Sequence, residues 1–310
     1  MSTPTSGGAS WLARVLWRST SGRMGVILLG IFVVLAVFSP ILRPYGLDER
    51  VGGVYDPPSL AHPLGLDDGG IDMLSLLMEG GRMSLTVGFA AALVAMVIGG
   101  GIGIAAGYFG GWVDTMLMRI TDYFLVIPSL PLAIVIAAVW GPSLSHLIVV
   151  IALLLWTSTA RLIRAEVRSV RERVYVARAR ALGAGHGRII LRHVLPQIGP
   201  LLVANTVLSV ASAIFDESAL AFLGLGDPTA ITWGKIIELA FLRTAVTAGA
   251  WWAVVPAGLC VALVIVACFW IGQAVEDALN PRLAVAHLSP RTFAVRTITG
   301  RVSPSDKGAS

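Results

Sequence analysis

Six long apolar stretches dominate this 310-residue chain, and each is long enough to cross a lipid bilayer as a helix. A spanning helix needs about 20 mostly apolar residues, and the stretches that qualify are residues 24–42, 84–107, 113–139, 144–162, 198–223 and 251–271. Charged residues make up only 13% of the chain, against about 25% in soluble domains. The sequence therefore predicts an all-α integral membrane protein with about six transmembrane helices.

The distribution of Lys and Arg gives these helices a direction. Seventeen of the 23 basic residues lie in the N-terminal tail, the loop between spans four and five, and the C-terminal tail. A six-span topology places these three segments on one side, and basic loops stay in the cytoplasm. Both termini are thus predicted to be cytoplasmic. The net charge of +5 is explained by this bias, and no nucleic-acid partner is expected.

Three regions follow from this topology. Residues 1–83 hold the cytoplasmic N-terminal tail, the first transmembrane helix and an acidic outer loop. Residues 84–283 form a core domain with five transmembrane helices and a basic cytoplasmic loop, 164–196. Residues 284–310 form a polar cytoplasmic C-terminal tail, whose composition predicts disorder. The second outer loop has room for a short helix over 233–243.

Enzymatic signatures are missing from the sequence. The Gly234–Lys235 pair lacks the residues of a phosphate-binding loop on both sides, so the chain is not expected to bind ATP. Its five histidines have no metal-ligand spacing, and the acidic run 67–72 is better explained as a turn and helix cap than as a cation loop. We predict no metal site, no cofactor in this chain and no enzymatic activity of its own.

The third span carries ionisable residues and two prolines. Arg119 and Asp122 are three residues apart, so they can pair on one helix face, with Asp114 one or two turns away. We interpret Asp114, Arg119 and Asp122 as a structural ion pair near the membrane surface rather than a proton or ion relay. Pro128 and Pro131 predict a kink.

Two further features concern helix packing. Glycines recur every four residues at Gly99, Gly103, Gly107 and Gly111, which predicts that another helix approaches span two closely. In span five, Asp216 and Glu217 lie near the outer end. Either they line an outer cavity or they face the membrane interface.

The basic loop 164–196 contains a helical apolar pattern that Gly183 interrupts. A second amphipathic stretch, 189–195, leads to Pro196 and span five. Two interpretations are open: an interfacial helix on anionic lipid, or a helix that docks in a groove of a cytoplasmic partner.

Residues 175–184, Tyr-Val-Ala-Arg-Ala-Arg-Ala-Leu-Gly-Ala, and 192–196, Arg-His-Val-Leu-Pro, resemble the cytoplasmic signature of binding-protein-dependent ABC importer permeases. That signature reads Glu-Ala-Ala, three residues, Gly, nine residues, then Ile-x-Leu-Pro. The positions that match are Ala179, Gly183, Leu195 and Pro196. The sequence departs from it at Ala177, Arg178 and His193, in place of Glu, Ala and Ile.

Further stretches resemble the C-type permease of the dipeptide/oligopeptide/nickel group. They are His-Pro-Leu-Gly-Leu-Asp-Asp-Gly-Gly-Ile-Asp at 62–72, Asp-Thr-Met-Leu-Met-Arg-Ile-Thr-Asp at 114–122, Leu-Ala-Phe-Leu-Gly-Leu-Gly at 220–226, Trp-Gly at 233–234, Trp-Trp at 251–252 and Asp-Ala-Leu-Asn-Pro-Arg at 277–282. Their order and spacing extend the resemblance over about residues 20–283.

The resemblance implies a type I ABC importer permease of the inner membrane. Its partners would be a second homologous permease, two ATPase subunits or one two-domain ATPase, an external solute-binding protein and membrane lipid, with ATP and Mg²⁺ bound by the ATPases. It places the ATPase-coupling residues in the basic loop, at Tyr175, Ala179, Leu182, Gly183, Ala184, Leu195 and Pro196.

The resemblance also implies peptides as the cargo of such a transporter. Nickel, glutathione and haem-like ligands remain alternatives, since related permeases carry them. An ion-coupled secondary transporter is a different class of protein, for which inverted repeats and mid-membrane charges are expected. Neither is evident in the sequence.

Overall fold

A computed structural model describes residues 8–279, and within that part of the chain the fold is helical. The main helices are α1 (Gly8–Arg18), α2 (Thr20–Val37), α3 (Ser39–Leu42), α4 (Met73–Phe109), α5 (Gly111–Val126), α6 (Ser129–Trp140), α7 (Leu144–Arg171), α8 (Val174–Ala181), α9 (His186–Ile189), α10 (Leu195–Phe222), α11 (Trp233–Leu242) and α12 (Val255–Leu279). A π-helical turn, Ile190–Val194, joins α9 to α10, and a 3₁₀ turn, Trp251–Ala253, precedes α12. The predicted tail 284–310 lies outside the described residues.

Residues 8–279 contain six candidate membrane spans when the bent pair α5 and α6 is taken as one broken span. Helices α2, α4 and α7, the continuous run from α9 to α10, and α12 with its preceding turn are long and apolar enough to cross a bilayer, and α5 and α6 together pass the same test. The predicted kink is confirmed, because the axes of α5 and α6 differ by 87° across a break at Ile127–Pro128. Helix α4 begins at Met73, so the predicted region boundary between residues 83 and 84 falls inside one continuous helix.

The two ends of the bundle differ in charge. We call the end that carries the loop 164–196 the basic end, and the end that carries the loop 43–72 the acidic end. Helix α4 runs from the acidic to the basic end, and α7 packs along it in the same direction. Helix α10 lies against α4 and α12, while α2 covers α12.

The glycine strip of α4 is the surface on which α7 packs. A Cβ atom added at Gly103 would lie 2.6 Å from the carbonyl oxygen of Ala160. At Gly107 the corresponding distance to the carbonyl oxygen of Arg164 is 2.8 Å. Only glycine permits this backbone approach, so the predicted close helix contact is confirmed at Gly103 and Gly107, and Gly99 likewise lies against the backbone of Trp156. The prediction is wrong for Gly111, which belongs to α5 and where a Cβ would meet nothing within 4 Å.

The acidic end is built around the first turn of α4. The carboxylate of Asp72 accepts a hydrogen bond from the backbone N–H of Ser75 at 2.9 Å, and lies 3.0 Å from Nδ1 of His62. Asp67 accepts from the backbone N–H groups of Gly69 and Ile71, each at 2.8 Å. The interpretation of this acidic run as a turn and a helix cap is therefore confirmed. The predicted short helix in the second outer loop is α11.

Candidate coupling surface and the charged contact between α5 and α7

Helix α8 ends at Ala181 because of the backbone conformation of Gly183, two residues further on. Gly183 has φ +81°, a conformation that a Cβ atom disfavours. Its N–H donates to the carbonyl of Arg180, and the next N–H, of Ala184, donates to the carbonyl of Ala179, both at 3.0 Å. This pair of bonds is a Schellman motif. It reverses the chain after eight helical residues and leaves Leu182 at the tip of the turn.

The predicted coupling residues occupy different positions in this helix–turn unit. Leu182 is 88% exposed, and Tyr175 and Leu195 are 39% and 37% exposed. Gly183 and Pro196 are also exposed. The two alanines are partly buried, Ala179 within α8 and Ala184 against the hydrophobic cluster beneath it. Pro196 lies in the first turn of α10, directly after the π-helical turn Ile190–Val194 that joins α10 to α9.

The unit formed by α8 and α9 is anchored from below. Val176 and Ile189 are fully buried in a hydrophobic cluster that also contains Tyr108 of α4, Ile163 of α7 and Val194 before α10. Residues from five helices, α4, α7, α8, α9 and α10, and from the π-helical turn thus share one cluster. The turn is therefore fixed to the ends of three spans and is not a detached amphipathic helix.

A polar contact reinforces this anchor. The hydroxyl of Tyr108, which is 2% exposed, lies 3.0 Å from Nδ1 of His186 at the start of α9. The guanidinium of Arg180 lies 6.0 Å from the centre of the Tyr108 ring. Sequence reasoning missed Tyr108 because it is 78 residues from His186 and belongs to an otherwise apolar helix end.

The outer surface of the unit combines apolar and basic side chains. Three apolar side chains of this surface are largely exposed: Leu182 at 88%, Leu191 at 66% and Val174 at 66%. Around them the exposed arginines are Arg173, Arg178, Arg180, Arg188 and Arg192. An exposed apolar tip within a basic rim has the chemistry to enter a groove on a partner protein.

The predicted pairing of Arg119 with Asp122 is wrong. Asp122 pairs with Arg161 of α7, with Nη2 and Oδ1 2.5 Å apart. Arg119 is exposed and makes no ion pair among residues 8–279. The cause is the packing of α5 on α7. This packing brings Arg161 of α7 to the carboxylate of Asp122, which the sequence analysis had paired with Arg119.

Asp114 also has its partner on α7. Both of its oxygens accept from the guanidinium of Arg164, one from Nε and the other from Nη2 at 2.6 Å. A bidentate pair of this kind fixes orientation as well as charge. Asp114 and Asp122 thus hold α5 to α7 rather than stabilising α5 alone, and Arg119 takes no part in this contact.

Glu217 neither lines an outer cavity nor faces the membrane interface, the two positions that the sequence left open for it. It is fully buried, and its Oε2 accepts from the hydroxyl of Ser84 on α4 at 3.0 Å. The same Ser84 oxygen accepts from the backbone N–H of Trp233, at 3.1 Å. Glu217 therefore joins α10, α4 and the start of α11. Among the described residues, no three His, Cys, Asp or Glu side chains converge on a metal-sized site.

The part of the chain that the structure describes is thus a bundle of membrane-spanning helices, with an exposed apolar and basic turn at one end. Residues 99–285 match the family of binding-protein-dependent transport system inner membrane components. The chain belongs to this family, so it is an inner-membrane ABC transporter permease with the type I fold.

Relatives of the chain agree with this assignment. It is 36% identical over 265 residues to the dipeptide transport system permease protein DppC of Alkalihalophilus pseudofirmus, covering 84% of this chain and 85% of the relative. It is 37% identical over 278 residues to a protein of Brucella suis biovar 1 named "Putative peptide transport system permease protein", covering 88% and 92%. The predicted resemblance to the C-type peptide permeases is confirmed.

Proposed function

We propose that this chain is one of two permease subunits in an ATP-driven peptide importer. Its relatives from A. pseudofirmus and B. suis are named for dipeptide and peptide transport, and the similarity covers more than four-fifths of each chain. The complete transporter then contains a second homologous permease, two ATPase subunits or one two-domain ATPase, and an external binding protein that delivers the peptide.

The proposed orientation places both termini, and the basic end, in the cytoplasm. The positive-inside rule supports it, since the arginines of the helix–turn unit all lie at that end. The ATPases also require it, because ATP is available only on that side. ATP and Mg²⁺ belong to those partners, and this chain contributes neither hydrolysis nor a cofactor.

The observation that carries the proposal is the anchored turn with Leu182 at its tip. Leu182 is 88% exposed, while Val176, six residues earlier, is fully buried beneath it. When the ATPases close, they displace a turn whose base shares a hydrophobic cluster with α4, α7 and α10. A packed element with two arrangements converts such a displacement into a change of access across the membrane.

Peptides are favoured over nickel, glutathione and haem-like cargo by the names of the relatives. Uptake of a radiolabelled dipeptide by cells that express the complete transporter tests this choice. Uptake that depends on ATP and on the external binding protein supports it. Nickel or glutathione uptake without peptide uptake would refute it.

ATPase docking is tested with a pair of matched substitutions. Leu182→Glu places a charge at the tip of the turn without disturbing a buried contact. Leu60→Glu makes the same change at a fully exposed leucine of the acidic end. We expect the ATPase to co-purify with the Leu60→Glu variant and to be lost from the Leu182→Glu variant, with equal amounts of both in the membrane. Retention of the ATPase by the Leu182→Glu variant rules out docking at this turn.

A further inference from the structure

A cavity of about 210 Å³ lies at the acidic end, between the loop 43–72 and α11. Its floor is apolar and buried, since Met73 and Leu76 of α4 and Ile236 and Ala240 of α11 are each at most 7% exposed. Pockets that enclose drug-sized ligands measure about 300–1,000 Å³. This cavity is smaller, so it has room for one apolar side chain rather than for a whole peptide.

The rim of the cavity is held from both sides. The hydroxyl of Tyr55 in the loop donates to the carbonyl of Arg243 at 2.9 Å, and the guanidinium of Arg243 pairs with Asp68. Tyr55 and Thr244, the residue after Arg243, have φ +54° and +61°, in the left-handed region that non-glycine residues seldom adopt. Such strain persists only where the surrounding structure holds the residue in place, and it recurs at ligand clamps. The rim is therefore formed before a ligand arrives.

Asp67 is the one charged group of this rim without a counterion among residues 8–279. The charged side chains that line the cavity are Asp67, Asp68, Lys235 and Arg243. Arg243 pairs with Asp68, and Nζ of Lys235 lies 2.7 Å from Oε2 of Glu238. Asp67 makes no ion pair in this part of the chain. Its Oδ1 accepts two backbone N–H groups of the turn, and no hydrogen bond from residues 8–279 reaches its Oδ2.

A partly buried carboxylate oxygen without a partner favours a cationic ligand. Burial raises the pKa of the Asp67 carboxyl, and the opposing effect of Arg243 is smaller, so the ionised form lacks the stabilisation that a close cation gives. An ammonium group at Oδ2 would supply it. The two cations of the rim are already paired, so an anionic group finds no free partner there. The cavity therefore suits a cation beside an apolar group, without an adjacent carboxylate.

We propose that this cavity binds the N-terminal residue of a peptide, with its ammonium group at Asp67 and an apolar side chain over Met73 and Ala240. The inference rests on the proposed function and deepens it, because it favours peptides that begin with an apolar residue. In a peptide the α-carboxyl of that residue is a neutral amide. A free amino acid instead places a carboxylate beside the ammonium group, close to Asp67 and Asp68. The site therefore favours peptides over free amino acids.

Calorimetric titration tests the proposal on the two permeases with their ATPases, purified in detergent without the external binding protein, which would itself bind peptide. The ligands are Leu-Ala, Gly-Ala without the apolar side chain, N-acetyl-Leu-Ala without the ammonium group, and free leucine. Each is titrated into the parent and into the Asp67→Asn and Asp56→Asn variants. Asp56 is the matched control, because it is an exposed carboxylate of the same loop that accepts from the N–H of Gly53 at 2.6 Å and does not line the cavity.

We expect Leu-Ala to bind the parent and the Asp56→Asn variant equally. It should bind the Asp67→Asn variant at least about tenfold more weakly, because the amide oxygen can still accept the two N–H groups of the turn but the charge is gone. Gly-Ala and N-acetyl-Leu-Ala should bind the parent at least about tenfold more weakly than Leu-Ala.

Absence of Leu-Ala binding by the parent, or equal binding by the parent and the Asp67→Asn variant, would overturn the proposal. Free leucine that binds as tightly as Leu-Ala would overturn the choice of a peptide as ligand. Peptide uptake by the complete parent transporter tests the proposed function separately, because these titrations do not require transport.

Discussion

The hydroxyl of Tyr108 and Nδ1 of His186 lie 3.0 Å apart, joining the end of α4 to the start of α9. Their rings also meet edge to face, with centroids 5.7 Å apart. Helix α4 packs along α7 over its glycine strip. A displacement of α8 and α9 therefore reaches two membrane spans through this contact.

Removal of the Tyr108 hydroxyl should weaken this coupling without unfolding the protein. Tyr108→Phe keeps the buried ring and its packing but loses a hydrogen bond that contributes about 1 kcal/mol. We expect the complex to assemble normally and the amount of peptide imported per ATP hydrolysed to fall. Uptake and ATPase activity measured on the same proteoliposomes give this ratio.

Tyr123→Phe is the matched control. Tyr123 of α5 is 71% exposed, and its hydroxyl makes no hydrogen bond within residues 8–279. We expect its transport ratio to equal that of the parent. An unchanged ratio in the Tyr108→Phe variant would show that the bond to His186 carries no coupling.

Two glycines of α4 provide a sharp test of its packing. A Cβ at Gly103 would lie 2.6 Å from the Ala160 carbonyl oxygen, whereas one at Gly101 meets nothing within 4 Å. Gly103→Ala should therefore lower the thermal stability of the protein, since overpacking costs about 1–3 kcal/mol. Gly101→Ala should be neutral or stabilising, because alanine favours the helix by about 1 kcal/mol. Thermal unfolding in detergent compares the two, and equal effects would contradict the assigned contact.

Features encoded locally were predictable from the sequence. Apolar stretches of sufficient length predicted the spans, and Pro128, which lacks a backbone N–H, predicted the break in span three. Gly183 predicted the end of α8, and the four-residue spacing of glycines predicted the close approach to α4. Each of these depends on backbone geometry over a few residues, so neighbouring sequence is enough to indicate it.

Contacts between helices were not predictable in this way. Arg119 was assigned to Asp122 because they are three residues apart, but Arg161, 39 residues away, takes that position. Glu217 and Ser84 are 133 residues apart, and no local spacing relates them. These pairs depend on which faces of two helices pack against each other, and that is decided only when the whole bundle forms.

A substitution at Gly183 should act through backbone strain alone. A Cβ there meets nothing within 4 Å, but φ is +81°, which costs an L-residue about 1 kcal/mol or more. Gly183→Ala should therefore reduce the apparent affinity for the ATPase about fivefold, as the turn relaxes. Gly187→Ala, also with open space for a Cβ and without a positive φ, is the control. Binding measured by titration of the ATPase should separate them, and identical affinities would exclude strain at the turn.

Asp67 should make the acidic end sensitive to pH. Burial raises the pKa of its carboxyl above the ordinary value of 3.8, although N–H groups from Ile71 and Gly69 oppose the shift. Between the ordinary and the raised pKa, the folded loop binds more protons than the unfolded loop. Its stability therefore falls as pH rises through this window, and the full penalty remains above it. Asp67→Asn removes the titrating group, so the loop should become more stable at neutral pH and less dependent on pH.

Asp227 gives a control of opposite sign. The hydroxyl and backbone N–H of Thr229 donate to its carboxylate and lower its pKa. Its contribution to stability is present above the ordinary pKa and is lost as pH falls through the lowered value. Hydrogen exchange of the 43–72 and 223–232 loops, measured from about pH 4 to about pH 8, follows both regions in one sample. Asp67→Asn should flatten the profile of the first loop and leave the second unchanged. Protection of the first loop that rises with pH in the parent would contradict the assignment, since a raised pKa requires the reverse.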